Sequence, residues 1–403
     1  MGLGTAGVTR ARAIAPLSGE SWLLRGKDGR LSAYATTDGG LLRWTETRAG
    51  GPDWQGPDFF EAPAAEGLTA AQGPDGFVHV VGRGTAKDGS PDYVHATQYQ
   101  SGRPFGSWHS LGSFRYPDPA QTAKLGRPAV AVGAQGAVHV FLRNAFGGVL
   151  MRCQAASGKW GGWQDLIGSR AEEALVPTRL SSGLLELLAV KKDGTVLRWT
   201  QEKPGAAFSP VTVIPFTVTA GTVTALETSE DGLTYYGTAP GQVAAQMSAD
   251  GTAPGQVPAD GTVPAQAPSD GAVPHRQEVT AFRLGLGPDP ASAPSAVPLG
   301  GTPATEPGVR PAALRATMDG HDCTVLAHRT TGGRPALAAS RTLAEHEGVW
   351  WAETGPECVG APALALDAAD RVVMAVIGAE GALHVARQRT DEEGLALAAW
   401  QRV

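Results

Sequence analysis

The stretch GRPAVAVGAQGAVHVFLRNAFGGVLMRCQAASGKWGGWQDLIGS, residues 126–169, contains four short runs rich in strand-forming residues. Turn segments that contain glycine separate the runs, and this pattern predicts four antiparallel strands. Weaker copies of the same unit fill most of the 403-residue chain. Four-stranded repeats of about 40–50 residues are typical of a β-propeller, in which each repeat forms one blade.

The repeats divide the chain into seven units. We predict that residues 1–403 form one all-β domain, a single β-propeller of seven four-stranded blades, and that residues 1–19 form an N-terminal arm or clasp strand. Six blades is the alternative if the split fifth unit is only an excursion of the chain. An aromatic residue recurs in the predicted fourth strand, at Trp54, Trp108, Trp163, Phe208, Trp351 and Trp400. The predicted blades are residues 20–64, 67–117, 126–169, 174–214, 221–305, 308–360 and 361–403.

Proline opens the first strand in four of the units, at Pro128, Pro177, Pro311 and Pro362. Proline cannot donate a hydrogen bond to a neighbouring strand, so it is tolerated at a sheet edge. The innermost strand of a propeller blade is such an edge. The prolines therefore predict that these strands face a central channel.

The fifth unit is interrupted at residues 240–274 by a repeat of about ten residues, ADGTAPGQVP followed by ADGTVPAQAP and SDGAVP. The insertion has no aromatic residue and has proline in every repeat, so it cannot bury enough apolar surface to offset the ordering of its backbone. We predict a disordered loop with polyproline II character. It lacks the alternating oxygen ligands and the final glutamate of a calcium-binding loop.

Composition excludes several classes of function. The net charge of −6 argues against a nucleic acid partner, because phosphate binding needs a basic face. No apolar run is long enough to span a membrane or to serve as a secretory signal. We therefore expect a soluble protein that is cytoplasmic at synthesis, with release by a non-classical route as the alternative.

Histidine and cysteine residues do not predict a metal site or a cofactor. His79 and His139 occupy the same strand position in two units, and a ring separates such positions in space. His321, Asp322 and Cys323 are adjacent, but neighbouring strand residues point to opposite faces. The three cysteines, Cys153, Cys323 and Cys358, form no CxxC pair, and an odd number cannot all form disulfides.

The third strand aligns between units as LLRWTE, VHATQ, LMRCQ, VLRWTQ and LHVAR. Strand alternation predicts Trp44, Cys153 and Trp199 on one face, with Cys153 as a buried thiol. The opposite face is then expected to line grooves between blades or to stack on neighbouring aromatic rings. Its predicted members are Arg43, His95, Arg152, Arg198 and His384.

No catalytic constellation is evident in the sequence, and we expect no enzymatic activity. SEDGLTYY, residues 229–236, partly matches the Asp-box of sialidases, but that box is a structural turn and does not identify catalysis. A propeller glycosidase would need paired carboxylates that face one substrate. A sialidase-like glycoside hydrolase is therefore the least favoured of the functions considered.

The unit at 126–169 resembles the repeat of bacterial lectin-type seven-bladed propellers, such as the Photorhabdus-type lectins, and more loosely that of tectonin-like propellers. The strongest matches are VHVFLR (138–143) and KWGGWQDLIGS (159–169). Weaker matches are VHVVGRG (78–84), SWHSLGS (107–113) and DWQGP (53–57). The resemblance implies sugar binding in clefts between blades, through aromatic stacking and polar residues at strand ends.

Carried over to this chain, the resemblance implies a non-catalytic module that binds a glycan or a cell-envelope polysaccharide. Where the family often has an aromatic residue after the turn, this chain has Val149-Leu150 in one unit and Tyr93-Val94 in another. Units four to seven lack the WxxW pattern, so at most two or three clefts are expected. Each tryptophan is alternatively an anchor in the core between blades. The alternative function is a protein–protein interaction scaffold that uses the rim or channel. The candidate ligand-binding residues are Trp160, Trp163, Arg143, Trp108, Arg83 and Trp54.

Overall fold

The computed structural model describes residues 14–63, 66–155, 157–239, 278–284 and 295–403. The regular structure of these residues is nearly all β, and it forms seven four-stranded blades arranged as a ring. The predicted all-β propeller with seven blades is therefore confirmed, and the six-bladed alternative is excluded. The insertion predicted to be disordered, at 240–274, lies outside the described residues.

Two short strands, β1 (Ala15–Pro16) and β2 (Ser18–Gly19), precede the blades. Blade 1 contains β3 (Leu23–Arg25), β4 (Leu31–Thr37), β5 (Gly40–Glu46) and β6 (Trp54–Glu61). Blade 2 contains β7 (Glu66–Gln72), β8 (Val78–Thr85), β9 (Pro91–Gln98) and β10 (His109–Gly112). A short helix, α1 (Pro119–Thr122), leads to blade 3, which contains β11 (Pro128–Val132), β12 (Val138–Arg143), β13 (Val149–Cys153) and β14 (Gln164–Asp165).

The remaining four blades repeat the antiparallel meander of the first three. Blade 4 contains β15 (Ala171–Arg179), β16 (Leu185–Lys191), β17 (Thr195–Thr200) and β18 (Thr212–Thr217). Blade 5 contains β19 (Thr224–Ser229), β20 (Gly232–Thr238), β21 (Val279–Arg283) and β22 (Ser295–Pro298). Blade 6 contains β23 (Ala312–Met318), β24 (His321–Arg329), β25 (Pro335–Arg341) and β26 (Trp350–Glu353). Blade 7 contains β27 (Cys358–Leu366), β28 (Val372–Gly378), β29 (Leu383–Arg387) and β30 (Gln401–Arg402).

The described part of the N-terminal arm joins three blades at the inner edge of the ring. Strand β1 pairs antiparallel with β4 of blade 1, and β2 pairs parallel with β7 of blade 2. Pro16 also packs against Gly360 of blade 7, where an added Cβ would lie 2.9 Å from the proline ring. The arm therefore contacts both ends of the chain's circular path.

The apolar core lies between the blades. Most clusters of buried side chains combine residues from two neighbouring blades, such as Val140 of blade 3 with Tyr93 of blade 2. The indole of Trp199 is 1% exposed, and its Nε1 donates to the carbonyl oxygen of Leu166 in blade 3 at 2.8 Å. A single four-stranded sheet leaves its faces exposed, so each blade is stable only where its neighbours cover it.

A glutamine or glutamate follows or ends the third strand of five blades and ties that strand to its neighbours. The side-chain oxygen accepts the backbone N–H of Leu31, Leu185 or Val372 in blades 1, 4 and 7, at 2.9, 3.0 and 3.1 Å. The glutamines also donate to carbonyl oxygens in the turn that leads to the fourth strand. These hydrogen bonds satisfy polar groups in the hairpins and explain why the residue recurs. The five residues are Glu46, Gln98, Gln154, Gln201 and Gln388.

The prediction that Cys153 shares a buried position with Trp44 and Trp199 is wrong. Cys153 pairs across the sheet with His139, at the position that threonine occupies in other blades, and its side chain is half-buried. The cysteine Sγ lies 3.3 Å from Nε2 of His139, and burial raises the pKa of the thiol. Arg152, one residue earlier, occupies the strand position that corresponds to Trp44 and Trp199. The predicted alignment was displaced by one residue, and such a shift moves a side chain to the opposite face of the strand.

The same shift corrects the opposite face of the third strand. Arg43, His95 and Arg198 share one position and face the next blade along the chain. Arg152 and His384 are each displaced by one residue from the equivalent position in their own strands, so their side chains lie on the other face. The predicted row of five basic side chains is therefore divided between two faces.

The innermost strands enclose a channel at the centre of the ring. The four prolines that were expected to mark this edge, Pro128, Pro177, Pro311 and Pro362, all line it. Strand β27 of blade 7 lies beside β3 of blade 1, which completes the ring. None of the helices in the described residues is long and apolar enough to cross a membrane.

Blades 7 and 1 meet through a buried ion pair as well as through apolar contacts. The guanidinium of Arg387 in blade 7 donates to the fully buried carboxylate of Glu46 in blade 1 at 2.5 Å. Trp22 Nε1 donates to the carbonyl oxygen of Ala361 at 3.0 Å, across the same junction. The carboxylate of Glu46 therefore depends on a charge that the far end of the chain supplies.

We expect Arg387→Met to reduce the free energy of unfolding by about 3–5 kcal/mol, because it leaves the buried Glu46 carboxylate without its cation. The control is Arg389→Met, which removes a half-exposed arginine that pairs with Asp391 and Glu392. Its expected cost is much smaller, because this pair lies at the surface and is screened by solvent. Denaturant unfolding of both variants tests this, and equal costs would contradict the role assigned to Arg387.

Candidate functional site

The junction between blades 2 and 3 brings together three of the six candidate residues. Trp160 and Trp163 come from the segment that follows β13 in blade 3, and Arg83 comes from β8 in blade 2. The backbone of this segment is held close to β13, since Gly161 N donates to the carbonyl oxygen of Cys153 at 2.9 Å. The two tryptophans therefore have a defined position at the edge of blade 3.

Both indoles are half-buried and pack edge-on against aromatic rings of blade 2. The Trp160 ring lies 5.3 Å from the ring of His95, and the Trp163 ring lies 5.7 Å from that of Tyr93, measured between centroids. Edge-to-face pairs at these distances are stabilising. Each tryptophan thus serves as an anchor between blades while part of its surface stays accessible to solvent.

Arg152 adds a fixed positive charge to this junction. Its Nε donates to the carbonyl oxygen of Gly161 at 2.8 Å, and its guanidinium carbon lies 5.9 Å from the centre of the Trp163 ring. The guanidinium is half-buried, and desolvation lowers its pKa. Arginine over an indole is a favourable cation–π geometry. Sequence reasoning did not select Arg152 for this site, because it assigned the side chain to the other face of the strand.

A pair of buried histidines lies behind Trp160. His79 Nδ1 and His95 Nε2 are 3.1 Å apart, and the hydroxyl oxygen of Thr97 lies 3.2 Å from His79 Nδ1. Each imidazole is 5% exposed. Desolvation lowers the pKa of His79 to about 4 and that of His95 to about 3. Both rings are therefore neutral near pH 7, and one N–H is shared between them.

Arg83 lies at the inner part of the same junction. It pairs across the sheet with Tyr93, and its guanidinium donates to Glu66 at 3.1 Å and to the carbonyl oxygen of Ala123 at 3.2 Å. Tyr93 in turn donates to the carbonyl oxygen of Gly126 at 2.7 Å. These contacts tie blade 2 to the segment that enters blade 3, and each terminal nitrogen of the Arg83 guanidinium makes one of them.

The structure does not bring Arg143 to Trp160. Arg143 pairs with Val149 at one end of the sheet, whereas Trp160 forms a bridge with Gln154 at the other end. The guanidinium of Arg143 points towards blade 4, where its Nε donates to the carbonyl oxygen of Ala171 at 2.6 Å. Arg143 and Trp160 therefore do not share a cleft, since the two residues face different neighbouring blades.

The other two candidates lie at separate junctions. Trp108 packs against blade 1, and its Nε1 donates to the carbonyl oxygen of Glu61 at 3.0 Å. Trp54 packs against blade 7, with the guanidinium carbon of Arg387 at 5.9 Å from its ring centre. The six candidates therefore belong to four junctions of the ring and do not form one site.

A polar cleft between blades 4 and 5 was not predicted as a site. It encloses about 220 Å³ and is lined by Arg198, Tyr235 and Arg283, among others. The half-buried Arg198 donates to the buried carboxylate of Glu186 at 2.6 Å, and Tyr235 donates to the same carboxylate. In the sequence, only the RWT triplet shared by the third strands of blades 1 and 4 points to Arg198. The blade 5 residues that line the cleft belong to no recognisable motif.

The sequences that suggested metal or hydrolase chemistry have structural roles. Asp322 forms two hydrogen bonds of 2.7 Å with Arg315, and Cys323 is buried. Asp231, in the stretch that resembles an Asp-box, occupies the turn between β19 and β20 with a positive φ of 52°. No group of three or more His, Cys, Asp or Glu side chains in the described ranges could hold a metal ion.

Several solved structures are similar to this chain. A lectin from Burkholderia pseudomallei matches with a TM-score of 0.62 and 14% identity, covering 96% of this chain and 99% of that chain. A lectin from Aleuria aurantia, described as a six-bladed propeller with a novel fucose recognition mode, matches with a TM-score of 0.45 and 10% identity over 97% and 95% of the two chains. The NanB sialidase of Streptococcus pneumoniae matches with a TM-score of 0.45 and 11% identity over 94% and 67%.

No protein-family model and no curated protein sequence matches the chain. At 14% identity the similarity to the Burkholderia lectin establishes a shared fold. The narrower resemblance to Photorhabdus-type and tectonin-like propellers stays a prediction.

The histidine pair predicts a dependence of stability on pH. Unfolded histidine has a pKa near 6.5, so between about pH 6.5 and 4 the unfolded chain binds protons that the folded pair excludes. Stability should therefore fall as pH falls, by up to about 1.4 kcal/mol per pH unit for each imidazole. A double variant, His79→Gln with His95→Gln, should show a shallower decline than wild type when unfolding is measured from pH 6 to pH 4.

The control for this experiment is His346→Gln, which changes a histidine that is exposed. We expect its pH profile to match that of wild type. A double variant whose stability declines as steeply as that of wild type would contradict the assignment of neutral, buried imidazoles to this junction.

Proposed function

We propose that the protein is a non-catalytic module that binds a glycan or a cell-envelope polysaccharide in clefts between its blades, chiefly between blades 2 and 3. The observation that carries the proposal is the pair of half-buried indoles, Trp160 and Trp163, held beside the Arg152 guanidinium at one junction. It extends the lectin-like function implied by the sequence, and it replaces Arg143 with Arg152 as the basic residue.

The chemistry of this junction suits a saccharide. The flat apolar surface of an indole matches the C–H face of a sugar ring, and a few placed polar groups fix its orientation. Arg152 uses Nε on Gly161 and keeps its terminal N–H groups for hydroxyl oxygens. The exposed His109, which pairs across the sheet with His95, supplies a further polar side chain at this edge.

The cleft between blades 4 and 5 is a second candidate cleft for the same ligand class. Its lining combines two arginines with the hydroxyl groups of Thr228, Ser229 and Thr234. Two weak sites on one rigid ring increase the affinity for a polymer that presents repeated sugars. The Burkholderia pseudomallei protein that shares this fold is described as a lectin, which makes glycans the first ligand class to test.

The alternative function is that of a scaffold for a protein partner, and one surface feature favours it. Phe114, Tyr116 and Phe146 form a chain of edge-to-face contacts at 4.9 and 5.7 Å, and Phe146 is 67% exposed. Exposed aromatic clusters of this kind often mark protein interfaces. This cluster belongs to the connection between blades 2 and 3 and to the β12–β13 turn of blade 3.

A glycan array with the purified protein tests the proposal, followed by affinity measurements on Trp160→Leu and Arg152→Gln. We expect each substitution to weaken binding of the selected glycan by about tenfold or more, as for a central contact residue. Trp350→Leu, at an indole that is 76% exposed on blade 6, is the matched control and should bind like wild type.

Two results would contradict the glycan proposal. One is an array without binding above background while a protein partner is recovered by pull-down and depends on Phe146. The other is a bound glycan whose affinity is the same in wild type, Trp160→Leu and Arg152→Gln. Thermal unfolding of each variant confirms that it is folded before its affinity is compared.

A further inference from the structure

The central channel is a second cavity that the proposed glycan function does not use. The innermost strands and the N-terminal segment enclose about 440 Å³, which lies in the range of small-ligand sites. Alanine, valine, leucine and proline side chains form most of the wall, including Val130, Leu175 and Ala363. Such a wall suits the apolar part of a small organic molecule.

Four charged residues interrupt this apolar lining: Glu20, Arg127, Glu173 and Arg310. Glu173 is already engaged, because it accepts the backbone N–H of Arg127 at 3.0 Å and lies 3.8 Å from the guanidinium of Arg143. The guanidinium groups of Arg310 and Arg127 and the carboxylate of Glu20, by contrast, make no hydrogen bond or ion pair with any residue that the structure describes. Arg127 is exposed, whereas Arg310 is half-buried.

The charges of Arg310 and Glu20 interact electrostatically, although the two side chains form no ion pair. Desolvation in the channel lowers the pKa of Arg310, and the charge of Glu20 opposes this shift. Desolvation likewise raises the pKa of Glu20 against the charges of Arg310 and Arg179. The two groups form no ion pair with each other in the described part of the chain, and both line the channel, so each can pair with a group on a bound ligand.

The unpaired state of Arg310 differs from the role of most other arginines at the junctions. Arg143 and Arg329 each donate to a backbone carbonyl oxygen of the following blade, at 2.6 and 2.7 Å, and so hold the ring together. A guanidinium has five N–H donors, and those of the half-buried Arg310 have no partner among the described residues. The Arg310 side chain therefore makes no hydrogen bond that links described residues of two blades, and it lines the channel.

We propose that the channel binds a small carboxylate that also carries an ammonium or hydroxyl group. The carboxylate accepts hydrogen bonds from the Arg310 guanidinium, as arginine fits carboxylate geometry well. The ammonium or hydroxyl group donates to Glu20, and the apolar body lies against the wall of the channel. Neither residue belongs to the clefts between blades, so this site is independent of the proposed glycan sites.

The experiment uses three probes of one shape: leucine, 4-methylpentanoate, which lacks the amino group, and isopentylamine, which lacks the carboxylate. Calorimetry and ligand-observed NMR with the full chain measure their affinities. We expect leucine to bind most tightly and isopentylamine least. Arg310→Gln should weaken leucine binding by at least about tenfold, because a charge-assisted hydrogen bond is lost.

The variant Glu20→Gln should remove the preference for leucine over 4-methylpentanoate. Arg389→Gln, which changes a surface arginine of blade 7, is the control and should leave all three affinities unchanged. Arg310→Lys keeps the charge and serves if the glutamine variant does not fold; its leucine affinity should also fall, since the paired donors are lost. Equal leucine binding by wild type and the Arg310 variants, or no binding of any probe by the wild-type chain, would overturn the proposal.

Discussion

The contact between neighbouring blades is the constraint on which the rest of this structure depends. Each blade has only four strands and presents apolar side chains on both faces, so neither face is covered unless another blade packs against it. The buried indoles of Trp44 and Trp199 lie at such contacts, in blades 1 and 4. A row of blades would leave two faces exposed at its ends, and the ring removes both ends.

The polar groups at the junctions follow from the same constraint. Glu186 and Glu345 are buried at successive junctions, and each carboxylate accepts hydrogen bonds from an arginine and from a tyrosine of blade 5. Desolvation and the nearby carboxylate raise the pKa of both tyrosines, which therefore stay protonated donors. Buried carboxylates with such partners are compensated, whereas a junction that keeps a gap or a half-buried indole has room for a ligand.

The architecture could be predicted from the sequence because short local patterns determine it. Strand-forming runs, turn glycines and the prolines at 128, 177, 311 and 362 repeat with the blades, and they indicated both the fold and the channel edge. Face assignments were less secure. Cys153 and Arg152 were exchanged because the alignment of one short strand was displaced by one residue, and in a strand that displacement reverses the direction of the side chains.

The composition of the candidate sites could not be predicted to the same depth. Arg143 and Trp160 are close in sequence and belong to one blade, yet they serve different junctions. Arg198 pairs with Glu186 of its own blade, whereas the other residues that line the cleft between blades 4 and 5 lie at least thirty positions away in the sequence. Such contacts depend on how one blade turns relative to the next, which no local pattern specifies. Arg310 shares its place before a proline with Arg127, and only the structure shows that Arg310 is half-buried whereas Arg127 is exposed.

Equilibrium unfolding of Trp199→Ala tests most directly the claim that the junctions hold the fold together. The indole is buried at the junction of blades 3 and 4, and its removal should cost about 3–5 kcal/mol. If the blades depend on one another, tryptophan fluorescence and far-ultraviolet circular dichroism will report one coincident transition at lower denaturant concentration. Two separate transitions, of which only one is displaced, would show that blades unfold independently and would contradict the account.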